Sequence, residues 1–217
     1  MGLPLNKLVC ASNENKIITD FINTGQFNLN NRTLKDTCSP AIDILNPSNI
    51  ERLLYFITKD SKKVKDWYDE LKSKGMFTID PETLSLIQKD FEAYYCPEEK
   101  CIETIKTVYE RTGFLLDPHT SVAKYVVDQY LNNEKVIIAS TAHFAKFPEI
   151  ILKALGLTQT NDLKMCFDNL EKINSKPKIP DSLRSVLTKQ ILHRDVLEAD
   201  QTLIKNTILE KLRLNKI

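Results

Sequence analysis

Apolar and polar positions along the chain alternate between strand-like runs and helical stripes. Leu5 to Ser12 (LNKLVCAS) reads as a short buried strand with a turn-like SNEN after it. From Glu14 to Thr24, Ile17, Ile18, Phe21 and Ile22 recur at helical spacing, and Gly25 stops the helix. Strand, polar turn and helix open an α/β unit. Residues 26 to 40 are polar and irregular and read as a loop, and Ala41 to Leu45 (AIDIL) is too short to assign. In NPSNIER, Ser48 and Glu51 form a capping-box pattern, which predicts a helix running to about Thr58.

The middle of the chain is predicted to be helical. Lys62 to Ser73 carries Val64, Trp67, Tyr68 and Leu71 on one face. Asp80 caps a helix with Pro81 at its first position, predicted over 81 to 95. Pro97 starts the next, with a stripe of Ile102, Ile105, Val108 and Tyr109 that ends at Gly113. Asp117-Pro118 repeats the device and opens a helix to about Leu131. Lys135 to Ser140 (KVIIAS) is a continuous apolar run, as in a parallel strand covered on both faces. Pro148 opens a helix to Leu155. Residues 158 to 180 read as a polar connection, and 181 to about 214 as an amphipathic region broken near Ala199-Asp200.

Composition narrows the chemistry. The 30 Lys and Arg against 29 Asp and Glu leave a net charge of +1, with no global field to attract nucleic acid or an anionic membrane. The five glycines (Gly2, Gly25, Gly75, Gly113, Gly156) are widely spaced, which rules out a glycine-rich phosphate loop. The five cysteines are Cys10, Cys38, Cys96, Cys101 and Cys166; no CxxC occurs, and with His119, His143 and His193 no zinc pattern closes. They read as reduced, mostly buried thiols of an intracellular, cytoplasmic protein, with a mitochondrial location left open. The stretch MGLPLNKLVCAS is too short and too broken by Asn6 and Lys7 for a signal peptide, and no window is long enough to span a membrane. The Lys/Asp-rich stretch at 59 to 72 reads as a solvated helix face.

Candidate chemistry gathers after the 135–140 run, because ligands of open α/β sheets bind at the carboxyl ends of strands. Ser140, Thr141, His143 and Lys146 place hydroxyls, an imidazole and an ammonium within seven residues. The plainer alternative makes Thr141 a helix cap, His143 a packing residue and Lys146 a solvated cation.

This segment, Ser-Thr-Ala-His-Phe-Ala-Lys-Phe-Pro-Glu from Ser140, resembles the S/T-A-H-x-A-K-F-P motif of threonine synthases, pyridoxal-phosphate (PLP) enzymes that act on phosphohomoserine. Other segments agree in order: Met1-Gly-Leu-Pro with Ala11-Ser-Asn-Glu-Asn, Ser39-Pro-Ala-Ile-Asp-Ile-Leu, Ser48-Asn-Ile-Glu-Arg-Leu and Gly113-Phe-Leu-Leu-Asp-Pro-His-Thr-Ser-Val-Ala. Vertebrate threonine synthase-like proteins look nearest, and the resemblance covers roughly residues 1 to 155. It implies an α/β fold, a partial doubly wound parallel sheet with many helices, the C-terminal part of a tryptophan synthase β-like PLP fold. It divides the chain into 1–157, a portion of the PLP domain, and 158–217, a helical extension packed on the same domain.

The resemblance implies PLP as cofactor and a phosphorylated hydroxy-amino acid as substrate for the full-length family. Thr141 matches the hydroxyl that meets the pyridine nitrogen, where a neutral partner leaves that nitrogen largely unprotonated. Asn13, Asn15 and His143 match further cofactor-cleft positions; Ser39, Asp43, Arg52 and Lys146 match substrate-cleft positions, with a structural Asp43–Arg52 ion pair as the alternative. Asn13 and Thr141 are expected at one cleft. Asp117 reads as a cap. The family's Schiff-base lysine and phosphate loop lie upstream of the MGLP segment. Lys35-Asp36, Lys59-Asp60, Lys65-Asp66 and Lys89-Asp90 are not substitutes for that lysine. The chain alone is therefore expected to be inactive and not to attach the cofactor covalently. Two readings follow: the C-terminal portion of a PLP-dependent lyase, or a non-catalytic half-enzyme that binds another protein. A second copy or a separate N-terminal half would be its partner.

Overall fold

Two five-residue strands pairing in parallel set the geometry of the larger part of the chain. A computed structural model describes residues 4–131, 135–173, 176–192 and 194–213. The Met1–Leu3 end of the MGLP motif, and His193, lie outside them. Contacts divide the chain into Met1–Pro180 and Asp181–Ile217.

In the first unit β1 (Leu8–Ser12) pairs with β4 (Phe91–Tyr95), Leu8 opposite Phe91 and Ser12 opposite Tyr95. Successive strand side chains point to opposite faces. Cys10 and Ala93 accordingly join a core with α1 (Ile17–Thr24), while Ala11 packs on a second cluster containing Val122 of α6 (Pro118–Tyr130). The sheet is thus covered by α1 on one face and α6 on the other.

Between β1 and β4 the chain makes a long excursion with its own hairpin-like pair, β2 (Gln26–Asn28) antiparallel to β3 (Met76–Thr78). Phe27 and Phe77 face each other there with rings stacked at 5.3 Å. Phe21 meets both edge-on, and Trp67 lies over Phe77. Such ring pairs add about 0.5–1.5 kcal/mol each beyond the area they bury. Helices α2 (Ile50–Thr58), α3 (Ser61–Lys74) and α4 (Pro81–Asp90) complete this part. Gly75, in the left-handed conformation at φ 73°, ends α3; a Cβ there would collide with Asn30 Oδ1. Helices α5 (Glu98–Thr112), α7 (Pro148–Ala154) and α8 (Leu163–Lys172) follow, α7 packing on both α5 and α8. The second unit holds α9 (Asp181–Arg184), a 3-10 turn and α10 (Gln201–Lys211), which Asp200 caps through the Leu203 N–H. No helix of the described residues is long and apolar enough to cross a membrane.

The α/β class is as expected, but several elements differ. Residues 135–141 form no strand: Ile137 is 89% exposed, and β1–β4 is a two-stranded sheet. An apolar run becomes a strand only where a neighbour accepts its ladder, and among the described residues none does. The expected helix over 81–95 stops at Asp90 and passes without a breaker into β4. The 26–40 loop contains β2, and 158–180 contains α8, whose Cys166, Phe167 and Leu170 are buried. Ser48 does not cap α2; Asn49 stands at that position with no side-chain bond. The break at Ala199-Asp200 is real, but helix covers only 181–184 and 201–211 of the last stretch.

Candidate active site

The carboxyl end of β1 delivers Asn13 and Asn15 into the interior, 2% and 6% exposed. Asn13 Oδ1 accepts from the Asn15 N–H at 2.9 Å, a local turn that fixes both side chains. The Asn13 amide then donates to Asp43 Oδ1 at 2.7 Å, Thr37 Oγ1 at 2.8 Å and Ser39 Oγ at 3.0 Å. Asn15 Nδ2 reaches the same Asp43 oxygen at 2.9 Å. Asn15 also accepts from the Lys35 N–H and donates to the Lys35 carbonyl, both at 2.9 Å, as a strand neighbour would. Asp43 further receives the Thr37 N–H at 2.9 Å and hydroxyl at 2.7 Å. A half-buried carboxylate loses part of its hydration and needs such partners; among the described residues, Asn13, Asn15 and Thr37 supply them as neutral donors.

A second cluster surrounds Asp117, 2% exposed at the start of α6. It accepts from the His119 N–H and Nδ1, both at 3.0 Å, from the Thr120 N–H, and from the Thr120 hydroxyl in a short contact. Burial acts to raise its pKa, but the bonds from His119 and Thr120 outweigh it and hold the carboxyl below its usual range. His119 Nε2 accepts from the Ala41 N–H at 3.0 Å. That bond requires a bare Nε2, so Nδ1 carries the proton and the ring is neutral. Thr120 Oγ1 lies 3.0 Å from Ser140 Oγ.

The two clusters are therefore continuous. Ser39, bonded to Asn13, and Ala41, bonded to His119, sit in one short stretch around the Pro40–Ile42 turn. From there the path runs through His119, Asp117 and Thr120 to Ser140, the residue before Thr141. Among the described residues, the Thr141 hydroxyl makes no hydrogen bond and its side chain is exposed.

Four of the expected site residues meet: Asn13, Asn15, Ser39 and Asp43. No hydrogen bond among the described residues joins them directly to Thr141. His143 caps the Phe144–Lys146 turn, accepting from the Ala145 N–H at 3.2 Å, and its Nε2 lies 3.1 Å from the Lys178 carbonyl. Both ring nitrogens are engaged within the chain. Lys146 is exposed, without an ion pair among the described residues. Arg52 is exposed on α2, beside Tyr55, Phe56 and Lys59 on a shallow outer groove, and does not pair with Asp43. Thr37, His119 and Thr120 were not anticipated as members. The cap signal at Asp117 was readable, but the contacts that tie these residues to the rest of the site, with Asn13, the Ala41 N–H and Ser140, come from distant segments.

Residues 120–208 match the model of the threonine synthase C-terminal domain. The chain is 37% identical over 212 residues to human threonine synthase-like 1, which covers 96% of this chain and 28% of that protein. To threonine synthase of Saccharomyces cerevisiae it is 33% identical over 236 residues, covering all of this chain and 44% of that one. The yeast enzyme's crystal structure superposes with a TM-score of 0.80, at 31% identity over 98% of this chain and 43% of that chain. The chain is thus similar to the C-terminal part of threonine synthases. PLP-bound threonine synthase from Brucella melitensis gives a TM-score of 0.77 at 27% identity, covering 97% and 41% of the two chains. The chain thus spans less than half the length of these threonine synthase relatives.

Proposed function

We propose that this chain supplies part of the PLP site of a threonine synthase-like lyase acting on a phosphorylated hydroxy-amino acid of the phosphohomoserine class. The observation that carries the reading is Thr141: an accessible hydroxyl with no hydrogen-bond partner among the described residues, next to a serine fastened to α6 through Thr120. That environment fits a donor to a pyridine nitrogen. When bound, the cofactor acts as an electron sink for the substrate's carbon skeleton. Thr141 orients its ring, and the Ser140–Thr120–Asp117 path keeps the Thr141 backbone in place. Asn13, Asn15 and His143 fit the group differently. Their polar atoms are bonded within the chain, so they shape the cleft wall rather than touch the cofactor. Among the described residues, Gly25, Gly75 and Gly113 end helices and build no phosphate cradle.

The reading is tested by replacing the matching part of the yeast enzyme with this chain. The chimera should bind PLP and release inorganic phosphate from phosphohomoserine. Thr141→Ala should lower turnover by about 10- to 100-fold, the usual size of a lost positioned polar contact, with less effect on cofactor retention. A chimera that holds PLP and releases no phosphate would reject the substrate assignment. The 217-residue chain alone, titrated with PLP, should develop no stoichiometric aldimine absorbance band. The internal satisfaction of Asn13, Asn15 and His143 also favours a second reading, a non-catalytic half-enzyme that binds another protein; the chimera's inactivity with bound cofactor would favour it.

A further inference from the structure

Cys38 immediately precedes Ser39, inside the segment that the asparagine–aspartate cluster holds. Its Sγ lies 3.2 Å from Cys101 Sγ on α5, 63 residues further along the chain. Both side chains are buried, 6% and 1% exposed, in a small core with Cys96 and Val122. Bonded sulfurs stand about 2.05 Å apart, and thiols bridge only when the backbone already brings them close. The remaining gap of about an ångström is within the reach of side-chain adjustment. Cys96 is aimed elsewhere, its Sγ 3.3 Å from the Pro97 carbonyl. In the closed protein the Cys38 thiol is kept protonated by its contact with Cys101 and by burial, and burial pushes Cys96 up to about 12. Thiolate is the reactive form, so Cys38 is inert until the segment opens. The stretch from Thr33 to Asp36 leading into Cys38 is exposed and is held at Lys35 by Asn15, so opening requires those two bonds to release.

We propose that Cys38 and Cys101 form a modification site: a small disulfide such as oxidised glutathione converts them to an internal disulfide that fastens the Thr37–Asp43 segment to α5. The first thiol loses its proton, and the thiolate attacks one sulfur of the oxidant. This forms a mixed disulfide and expels one glutathione thiolate, which takes up a proton. The second cysteine, likewise deprotonated, attacks the protein sulfur of that mixed disulfide and expels the second glutathione. Two protein thiols are oxidised and one small disulfide is reduced, with no net change in protons. The bridge does not depend on the PLP reading, since it involves no cofactor contact.

The 217-residue chain is incubated with oxidised glutathione at mildly alkaline pH, alkylated and digested. A linked peptide joining Cys38 to Cys101, lighter by two hydrogens, is expected, with Cys96 recovered alkylated. Hydrogen exchange at the Thr37 amide should slow by about tenfold on oxidation, since the bridge suppresses local opening. Cys96→Ser should leave the linked peptide in place, and Cys38→Ser should abolish it. A glutathione adduct that persists on either cysteine, a bridge through Cys96, or recovery of both thiols unmodified after prolonged incubation would each overturn the assignment.

Discussion

Asp117 concentrates the chemistry of single residues. Its carboxylate ends α6's unpaired N–H groups, fixes the His119 tautomer and, through Thr120, holds Ser140. Asp117→Asn keeps the shape but removes the charge that receives these donors. It should cost about 1–3 kcal/mol in urea denaturation at neutral pH. The sign with pH follows from a folded pKa below the ordinary 3.8. The carboxylate's contribution is present above that unfolded value and lost as pH falls through the lower folded one. The stability gap between parent and variant should therefore shrink in acid below 3.8; a gap that widens would contradict the assignment. The Asp-Pro-His-Thr cap was legible because capping is local. The use of His119 was not, because its partner, the Ala41 N–H, lies 78 residues away and is a backbone group with no side-chain signature.

At the level of elements, LVCAS and VIIAS look alike in sequence and differ in the fold. The first has β4 beside it, and the second has no strand neighbour among the described residues. Hydrophobic pattern reports what a segment can bury, and pairing is decided by what lies next to it. The amides bonded in the β1–β4 ladder should exchange at least ~100-fold more slowly than those of 136–139 in this chain. Equal protection by mass-detected exchange would mean that the second run is paired in solution. β4 escaped notice for a related reason. Leu84, Ile87 and Phe91 continue one helical stripe across the boundary, and neither Gly nor Pro marks the change of period. The polar cluster was partly legible: the family resemblance put Asn13 and Asn15 at the cofactor cleft and Ser39 and Asp43 at the substrate cleft, while Thr37 sat unmarked in a stretch read as loop.

For the whole molecule, apolar side chains remain on the outside at Leu8, Tyr55, Phe56, Ile137, Leu203 and Ile208. Large exposed apolar patches mark contact or aggregation surfaces. The purified chain should therefore elute from size exclusion as dimers or larger species, more so as concentration rises; a monomer at every concentration would count against this. The parallel pairing has a consequence for how the protein is made. Strand β1 leaves the ribosome about eighty residues ahead of β4, an interval of roughly 4–16 s at ordinary elongation rates of ~5–20 residues per second. During that time its ladder groups have no native partner. The intervening excursion, with its clustered phenylalanines, can collapse first and hold α1 against its own core. Synthesis thus leaves an early strand waiting for a late one, the stage at which a chaperone would have most to protect.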